Sequence, residues 1–209
     1  MNIAATAAVI FEVEPDPQRF DDYLQTAADL KPHLMRMDGF LENERFRSAR
    51  RAGRLLSLSL WRDEQALVRW REYAPHRSAQ HAGRNGLLSG YRLRVGSITA
   101  RVDRGERRRG AAMPDERSDL ILLESFEASG SPVFDEAVAT AAGQARDCEV
   151  FTHLQQPERR IALIGGGLPQ TLHAFAEKIA AIGPHAMRLL LVRVLRDYGL
   201  TDRREAPQV

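Results

Sequence analysis

One cysteine, two lysines, two tryptophans and no long apolar run set this chain of 209 residues apart. With Cys148 alone, neither an internal disulfide nor a cysteine-built metal cluster can form, and the expected role is that of a small core residue. Lys31 and Lys178 are the only lysines among 30 basic residues, an arginine bias that a GC-rich genome produces without selection for binding. The net charge is only +2, although the sequence pI is about 9.0, so long-range attraction for polyanions is small and no nucleic-acid partner is expected. The apolar run from Ile3 to Val13 is too short to cross a bilayer and has no basic residue before it, so no membrane segment and a cytoplasmic location are expected. Hydrophobic residues at 44% and charged residues at 28% match an ordinary globular chain and exclude intrinsic disorder.

What is present is periodic. AAVIFEVEP alternates as a half-buried strand, and Asp16 then caps a helix with Pro17 at its first position; Phe20, Tyr23, Leu24, Ala27, Leu30 and Leu34 follow at helical spacing over 17–37. Asp38-Gly39 closes that helix. GFLENERFRS and LLSLSLW, separated by the turn-like ARRAGR, predict a hairpin. Asp63 can cap a second helix carrying Ala66, Leu67, Trp70 and Tyr73. Pro75 interrupts it, and a last strand, YRLRVGSITARV, begins at Tyr91. After a charged, aperiodic stretch the order repeats: LILLESFE, SPVFDEAVATAAGQA, EVFTHLQ, RIALIGG, LPQTLHAFAEKIAAI and MRLLLVRVLRDY.

The chain therefore reads as two βαββαβ repeats, 1–104 and 118–209, joined by a linker at 105–117. Sparse matches set Arg54-Leu55 against Arg160-Ile161 and Tyr91-Arg92-Leu93 against Met187-Arg188-Leu189. On that alignment Trp61 faces Gly167 and Trp70 faces Ala176, so the unusual side chains belong to the first copy. GGGLPQT at 165–171 lies between a strand and a helix, but lacks the Gly-Lys-Ser/Thr of a phosphate loop and the dinucleotide glycine spacing; no nucleotide site is expected.

A βαββαβ unit forms an antiparallel sheet with both helices on one face. Alternation on the third strand separates Leu56, Leu58 and Leu60 from Ser57, Ser59 and Trp61. The leucines are expected under the helices, with the serines and Trp61 turned to a cavity on the other side or to an exposed sheet face.

The run LLSLSLWRDEQALVRWREYAPHRSAQHAGR, with GFLENERFRS before it and YRLRV after it, resembles the antibiotic biosynthesis monooxygenase family over about residues 8–104. The second half matches through its element order and the ending LLVRVLRDYGLTDRREAP. The resemblance implies an α+β fold, with two ferredoxin-like βαββαβ repeats packed as a dimeric α+β barrel within one chain, the second copy degenerate. It also implies a cofactor-independent monooxygenase, needing neither metal nor organic cofactor, that oxidises a phenol, hydroquinone or anthrone-like aromatic with molecular oxygen. A homodimer of tandem chains is a further possibility.

In that reading His76, or His81 in its stead, takes a proton, and Arg84 steadies the resulting anion. Trp61 and Trp70 hold the ring, and Ser57, Ser59 and Gln80 complete the substrate wall. Each of these residues also has a plainer role open to it: Trp70 in the helix core, His76 at an exposed helix end, Arg84 in a pair with Glu42, Glu44 or Glu72. Two other functions remain open: a non-catalytic barrel that binds a small molecule or mediates assembly, and the haem-degrading branch of the superfamily. The second is disfavoured, because the family's asparagine position falls near Val9 and its histidine position at Gln80.

Overall fold

The computed structural model describes residues 5–103, 106–107, 119–127, 131–143, 145–167, 169–182 and 187–207. They fall into two compact units. The first comprises Met1–Glu44, Gly53–Val95 and Arg196–Val209, and the second Arg45–Ala52 and Gly96–Leu195. The expected linker at 105–117 lies outside the described residues except for Glu106–Arg107, which pairs with Val102 and Asp103.

In the first repeat β1 (Ala7–Pro15), α1 (Phe20–Met35), β2 (Phe40–Ser48), β3 (Leu55–Trp61), α2 (Glu64–Glu72), α3 (Ala74–Ala82) and β4 (Leu88–Asp103) follow the expected order. Asp16 accepts the Gln18 N–H at 2.8 Å and caps the 3-10 turn Pro17–Arg19 that leads into α1, while Asp63 accepts the Ala66 N–H at 2.7 Å and caps α2. Gly39, at φ +83°, turns the chain out of α1, and a Cβ there would lie 2.5 Å from that of Ala66. Pro75 acts as expected. Tyr73 leaves the helical region with ψ 126°, ending α2, and α3 restarts with the proline in its first turn.

The second repeat contains β5 (Glu106–Arg107), β6 (Leu120–Ser125), α4 (Pro132–Ala142), β7 (Asp147–His153), β8 (Arg160–Gly165), α5 (Pro169–Ile182) and β9 (Met187–Gly199). Strands run in the order β4-β1-β3-β2 in the first repeat and β7-β8-β6-β9 in the second. Both are the order of a ferredoxin-like sheet, so the fold class is the one expected: α+β, two such repeats of the dimeric α+β barrel class in one chain. β9 crosses from one unit to the other. Its residues to Leu195 belong to the second, and from Arg196 onward the chain belongs to the first.

A buried carboxylate fixes the register of the duplication. Glu12 on β1 is held by Arg54, just before β3, and by Arg94 on β4. Glu124 on β6 is held by Arg159, just before β8, at 2.6 Å and by Arg188 on β9 at 2.5 Å. Each glutamate stands opposite a third-strand residue, Leu56 or Ile161, two positions after its arginine. Arg54 thus corresponds to Arg159 rather than Arg160, and it is Arg94 rather than Arg92 that corresponds to Arg188. Charges buried this deeply need their partners, a stronger constraint than the sparse residue matches of the sequence. Trp61 then stands opposite Gly166 instead of Gly167, and Trp70 opposite Phe175 instead of Ala176. Leu67 and Trp70 in the first core have Leu172 and Phe175 in the second.

The alternation of β3 holds, but its expected orientation is reversed. Trp61 packs with Leu34 of α1 and with Ala66, Leu67 and Trp70 of α2, so the Ser57, Ser59 and Trp61 face lies toward the helices. Leu56, Leu58 and Leu60 occupy the opposite face, which they share with Glu12. Parity alone separates two faces; it does not say which of them the helices cover.

Candidate active site

The floor of the space between sheet and helices in the first unit is set by the β1–β3 register, which pairs Ala7 with Trp61, Val9 with Ser59 and Phe11 with Ser57. Val9, Phe11, Ser57, Ser59, Asn43 and Leu93 are only half-buried there. In the second unit the corresponding floor is filled. Ile121 and Leu123 replace Val9 and Phe11, Ala162 and Ile164 replace Ser57 and Ser59, and Met187 replaces Leu93; all are buried in one core with Phe134, Leu172 and Phe175. Among the described residues a polar, half-buried floor under the helices therefore belongs to the first unit and not to the second.

Trp61 closes one end of that floor. It is fully buried, its indole N–H donates to the Ser59 hydroxyl at 2.9 Å, and Phe40 meets its ring edge-on at 5.5 Å. Such aromatic contacts contribute about 0.5–1.5 kcal/mol beyond area burial. Asn43 on β2 donates to the Ser57 hydroxyl at 2.9 Å and to the Leu58 carbonyl at 3.2 Å, fixing the serine that sequence reasoning placed in the site.

Above the floor the helices present a row of rings. Trp70 stacks on Tyr73, with centroids 5.9 Å apart, and on His76, with centroids 4.4 Å apart and planes 15° from parallel. His33 of α1 extends the row, its Nδ1 lying 3.0 Å from the Tyr73 hydroxyl. The break at Pro75 makes this possible, because a continuous helix would not return His76 to the ring of Trp70.

His76 has a defined tautomer. Its Nδ1 lies 2.9 Å from the Trp70 carbonyl oxygen, which can only accept, so Nδ1 carries the hydrogen and Nε2 is the basic nitrogen. Burial pushes its pKa down to about 4, against a smaller upward pull from that hydrogen bond, so the ring is neutral at pH 7. Gln80, one turn on, places its amide 3.3 Å from the same Nδ1.

The structure thus joins Trp61, Trp70, His76 and Gln80 with Ser57 and Ser59 around one sheet–helix space. His81 and Arg84 are exposed instead. His81 has the Asn85 amide 3.0 Å from its ring nitrogens, and Arg84 sits in the wide turn Gly83–Leu87, where Gly86 takes φ +90°. Sequence reasoning did not single out His33, Asn43 or Tyr91 as site residues. Asn43 carried no signal of its own; His33 lies next to Leu34 in the last turn of α1 and reads as an ordinary helix-end residue.

Comparison with known proteins agrees with this architecture. The sequence pattern described as antibiotic biosynthesis monooxygenase matches residues 6–82, the stretch from β1 to the end of α3. A protein of Pyricularia oryzae named jasmonate monooxygenase ABM is 38% identical over 225 aligned positions, covering 96% of each chain. The chain belongs to the antibiotic biosynthesis monooxygenase family. Among solved structures, an aldoxime dehydratase superposes over 90% of this family member and 81% of its own chain, with a TM-score of 0.58 at 9% identity. A second aldoxime dehydratase, crystallised with butyraldoxime, gives 0.57 at 10% identity, over 90% of this chain and 79% of its own. At that identity the likeness is one of fold.

Among the described residues no helix is long and apolar enough to cross a membrane.

Proposed function

We propose that the first unit is a cofactor-independent monooxygenase site for a small cyclic substrate with an acidic O–H or C–H, the phenol, hydroquinone and anthrone class being the best match to its aromatic walls. The observation that carries this reading is the neutral His76, with Nδ1–H committed to a carbonyl and Nε2 basic, stacked on the tryptophan that packs over the polar, half-buried floor of the first unit. Nε2 takes the substrate proton. The electron-rich anion passes one electron to molecular oxygen, and the radical pair combines into a peroxide anion that takes the proton back from Nε2 to become the hydroperoxide. Loss of water leaves the quinone or ketone, so the two oxygen atoms end in product and water and the substrate supplies all the electrons. Trp61 and Trp70 bracket the ring, while Ser57, Ser59 and Gln80 offer hydrogen bonds to its oxygens.

His81 and Arg84, both exposed, take no first role in this scheme; an anion steadied by Arg84 would require the Gly83–Leu87 turn to close over the cleft.

A second substrate reading is favoured by the relative named jasmonate monooxygenase, which covers almost the whole chain. Jasmonate is a cyclic ketone, and its enolisable carbon admits the same base-first chemistry with oxygen. Oxygen consumption by the metal-free protein, measured with hydroquinones, anthrones and jasmonate, tests both. Uptake that falls at least tenfold in His76→Gln supports the scheme; uptake indifferent to His76 removes its base, and saturable binding without uptake makes the protein a binding module.

A further inference from the structure

The cleft has a wall contributed by the far end of the chain. After Leu195, β9 continues beside β4 and α2 within the first unit: Arg92 pairs with Asp197 at 2.6 Å, Arg196 pairs with Glu64, and a Cβ on Gly199 would lie 2.8 Å from the Tyr91 carbonyl oxygen. The residues that follow are folded back by backbone bonds from the Gly199 N–H to the Asp202 carbonyl at 2.7 Å and from the Ala206 N–H to the Arg203 carbonyl at 3.0 Å. The Glu205 carboxylate also accepts the Asp197 N–H at 2.6 Å.

This brings Arg203 to the edge of the floor. Phe11, paired with Ser57, meets the ring of Tyr91 at 5.7 Å, and the Tyr91 hydroxyl accepts a hydrogen bond from Arg203 Nη1 at 2.6 Å. Tyr91 shares strand parity with Leu93 and Val95, both packed in the cleft core. The Arg203 guanidinium also lies 5.8 Å from the ring of Tyr198, which is half-buried. Burial, and then the neighbouring Tyr91, push the Tyr198 hydroxyl above its usual pKa, so it keeps its hydrogen.

Four of the neighbouring arginines are each paired with a carboxylate, and the Glu205 carboxylate is taken up by the Asp197 N–H. Arg196 is paired with Glu64, Arg71 with Glu72, Arg204 with Asp202 and Arg92 with Asp197. Among the described residues Arg203 has a hydroxyl and a ring as partners, but no carboxylate. A half-buried guanidinium bonded to one phenol hydroxyl, beside a second phenol ring and in no ion pair among these residues, suits a monoanion with two acceptor oxygens, since guanidinium and carboxylate match in both geometry and charge.

We propose that Arg203, with the hydroxyls of Tyr91 and Tyr198, forms a carboxylate subsite at the Phe11 end of the cleft, so that the ligand is a ring-bearing carboxylic acid. This rests on the reading of the first-unit cleft as the substrate site and deepens it. The ring lies toward Trp61 and Trp70, and the acid arm runs along the Ser57–Phe11 end of the floor to Arg203. From Trp61 to Ser57 the strand advances about 13 Å, enough for a five- or six-membered ring and a short chain.

The test uses the chain's only two tryptophans, Trp61 and Trp70, both in the cleft core, as reporters that need no turnover. Quenching is titrated with jasmonate and with its methyl ester in wild type, Arg203→Met, Arg203→Lys and Tyr91→Phe, with circular dichroism confirming each fold. The acid is expected to bind at least tenfold more tightly than the ester in wild type. Arg203→Met should bring the two within twofold, Arg203→Lys should keep part of the difference, and Tyr91→Phe should weaken the acid severalfold while leaving the ester unchanged. Equal binding of acid and ester in wild type, equal weakening of both in Arg203→Met, or no quenching by either overturns the subsite. Acid preference that persists without oxygen uptake retains the subsite and removes only the oxidation.

Discussion

The imidazole of His76 lies flat on the indole of Trp70, 4.4 Å between centroids, while its Nδ1 donates to the carbonyl of that same residue at 2.9 Å. One residue thus fixes both the plane and the tautomer of the other. The consequence for pH follows from the depressed pKa. Above pH 6.5 the ring is neutral whether the chain is folded or unfolded, and its contribution to stability is complete. As pH falls from 6.5 toward 4 the unfolded chain takes up a proton that the folded chain refuses, and stability is lost. The full loss is on the order of 3 kcal/mol, less whatever solvent reaches the ring. Thermal melts between pH 7.5 and 4 should show this decline, and His76→Gln should flatten that part of it; a slope unchanged in the variant excludes His76 as its origin.

The two histidines of the APHRSAQHAGR segment should separate kinetically. With a substrate that supports oxygen uptake, His76→Gln is expected to lower kcat/KM at least tenfold, whereas exposed His81→Gln should change it less than twofold. A larger loss in the His81 variant would transfer the base to that residue.

Replacing Ser57 with Ala and Ser59 with Ile gives the first floor the residues of the second, Ala162 and Ile164. The double variant should keep its fold at a lowered Tm, because the buried Trp61 N–H and the Asn43 amide lose their acceptors, and should lose ligand quenching and turnover together. Retained binding would place the ligand elsewhere.

Trp61 is fully buried, and its truncation opens a cavity. Trp61→Ala is expected to cost about 3–5 kcal/mol in urea unfolding, and Trp61→Phe markedly less. The Phe variant therefore separates the Trp61 N–H bond to Ser59 from its packing; binding that falls in Trp61→Phe while the fold persists assigns that N–H to orienting the floor.

Glu12→Gln leaves two arginines beside an uncharged partner within the sheet, and so does Glu124→Gln. Each should cost about 3–5 kcal/mol, the usual range for breaking a buried ion pair. Loss of less than 1 kcal/mol in urea melts would count against the buried triads as structural anchors.

Much of the architecture was legible because it rests on local chemistry: the caps at Asp16 and Asp63, the turn at Gly39, the break at Pro75 and the repeated element order. What escaped the sequence depends on contacts distant along the chain. The face of β3 that carries Trp61 was found by parity, but the packing of Leu34, Ala66 and Leu67 decides that it lies under the helices. The register of the second copy was off by one or two residues because arginines are abundant here and only burial tells which ones matter. Trp61, Trp70 and His76 could be proposed from the strand end and helix break, whereas Arg203 lies more than a hundred residues from Tyr91, its partner, and nothing nearby in sequence marks it.

The passage of β9 from one unit to the other bears on inheritance. A duplicated copy whose own cleft has filled with apolar side chains would ordinarily be free to drift or be deleted. Here its last strand runs on into the residues from Arg196 onward, which fold with the first unit. Losing the second copy would strip that unit of the strand end beside α2, so the folding of the first copy holds the second in place.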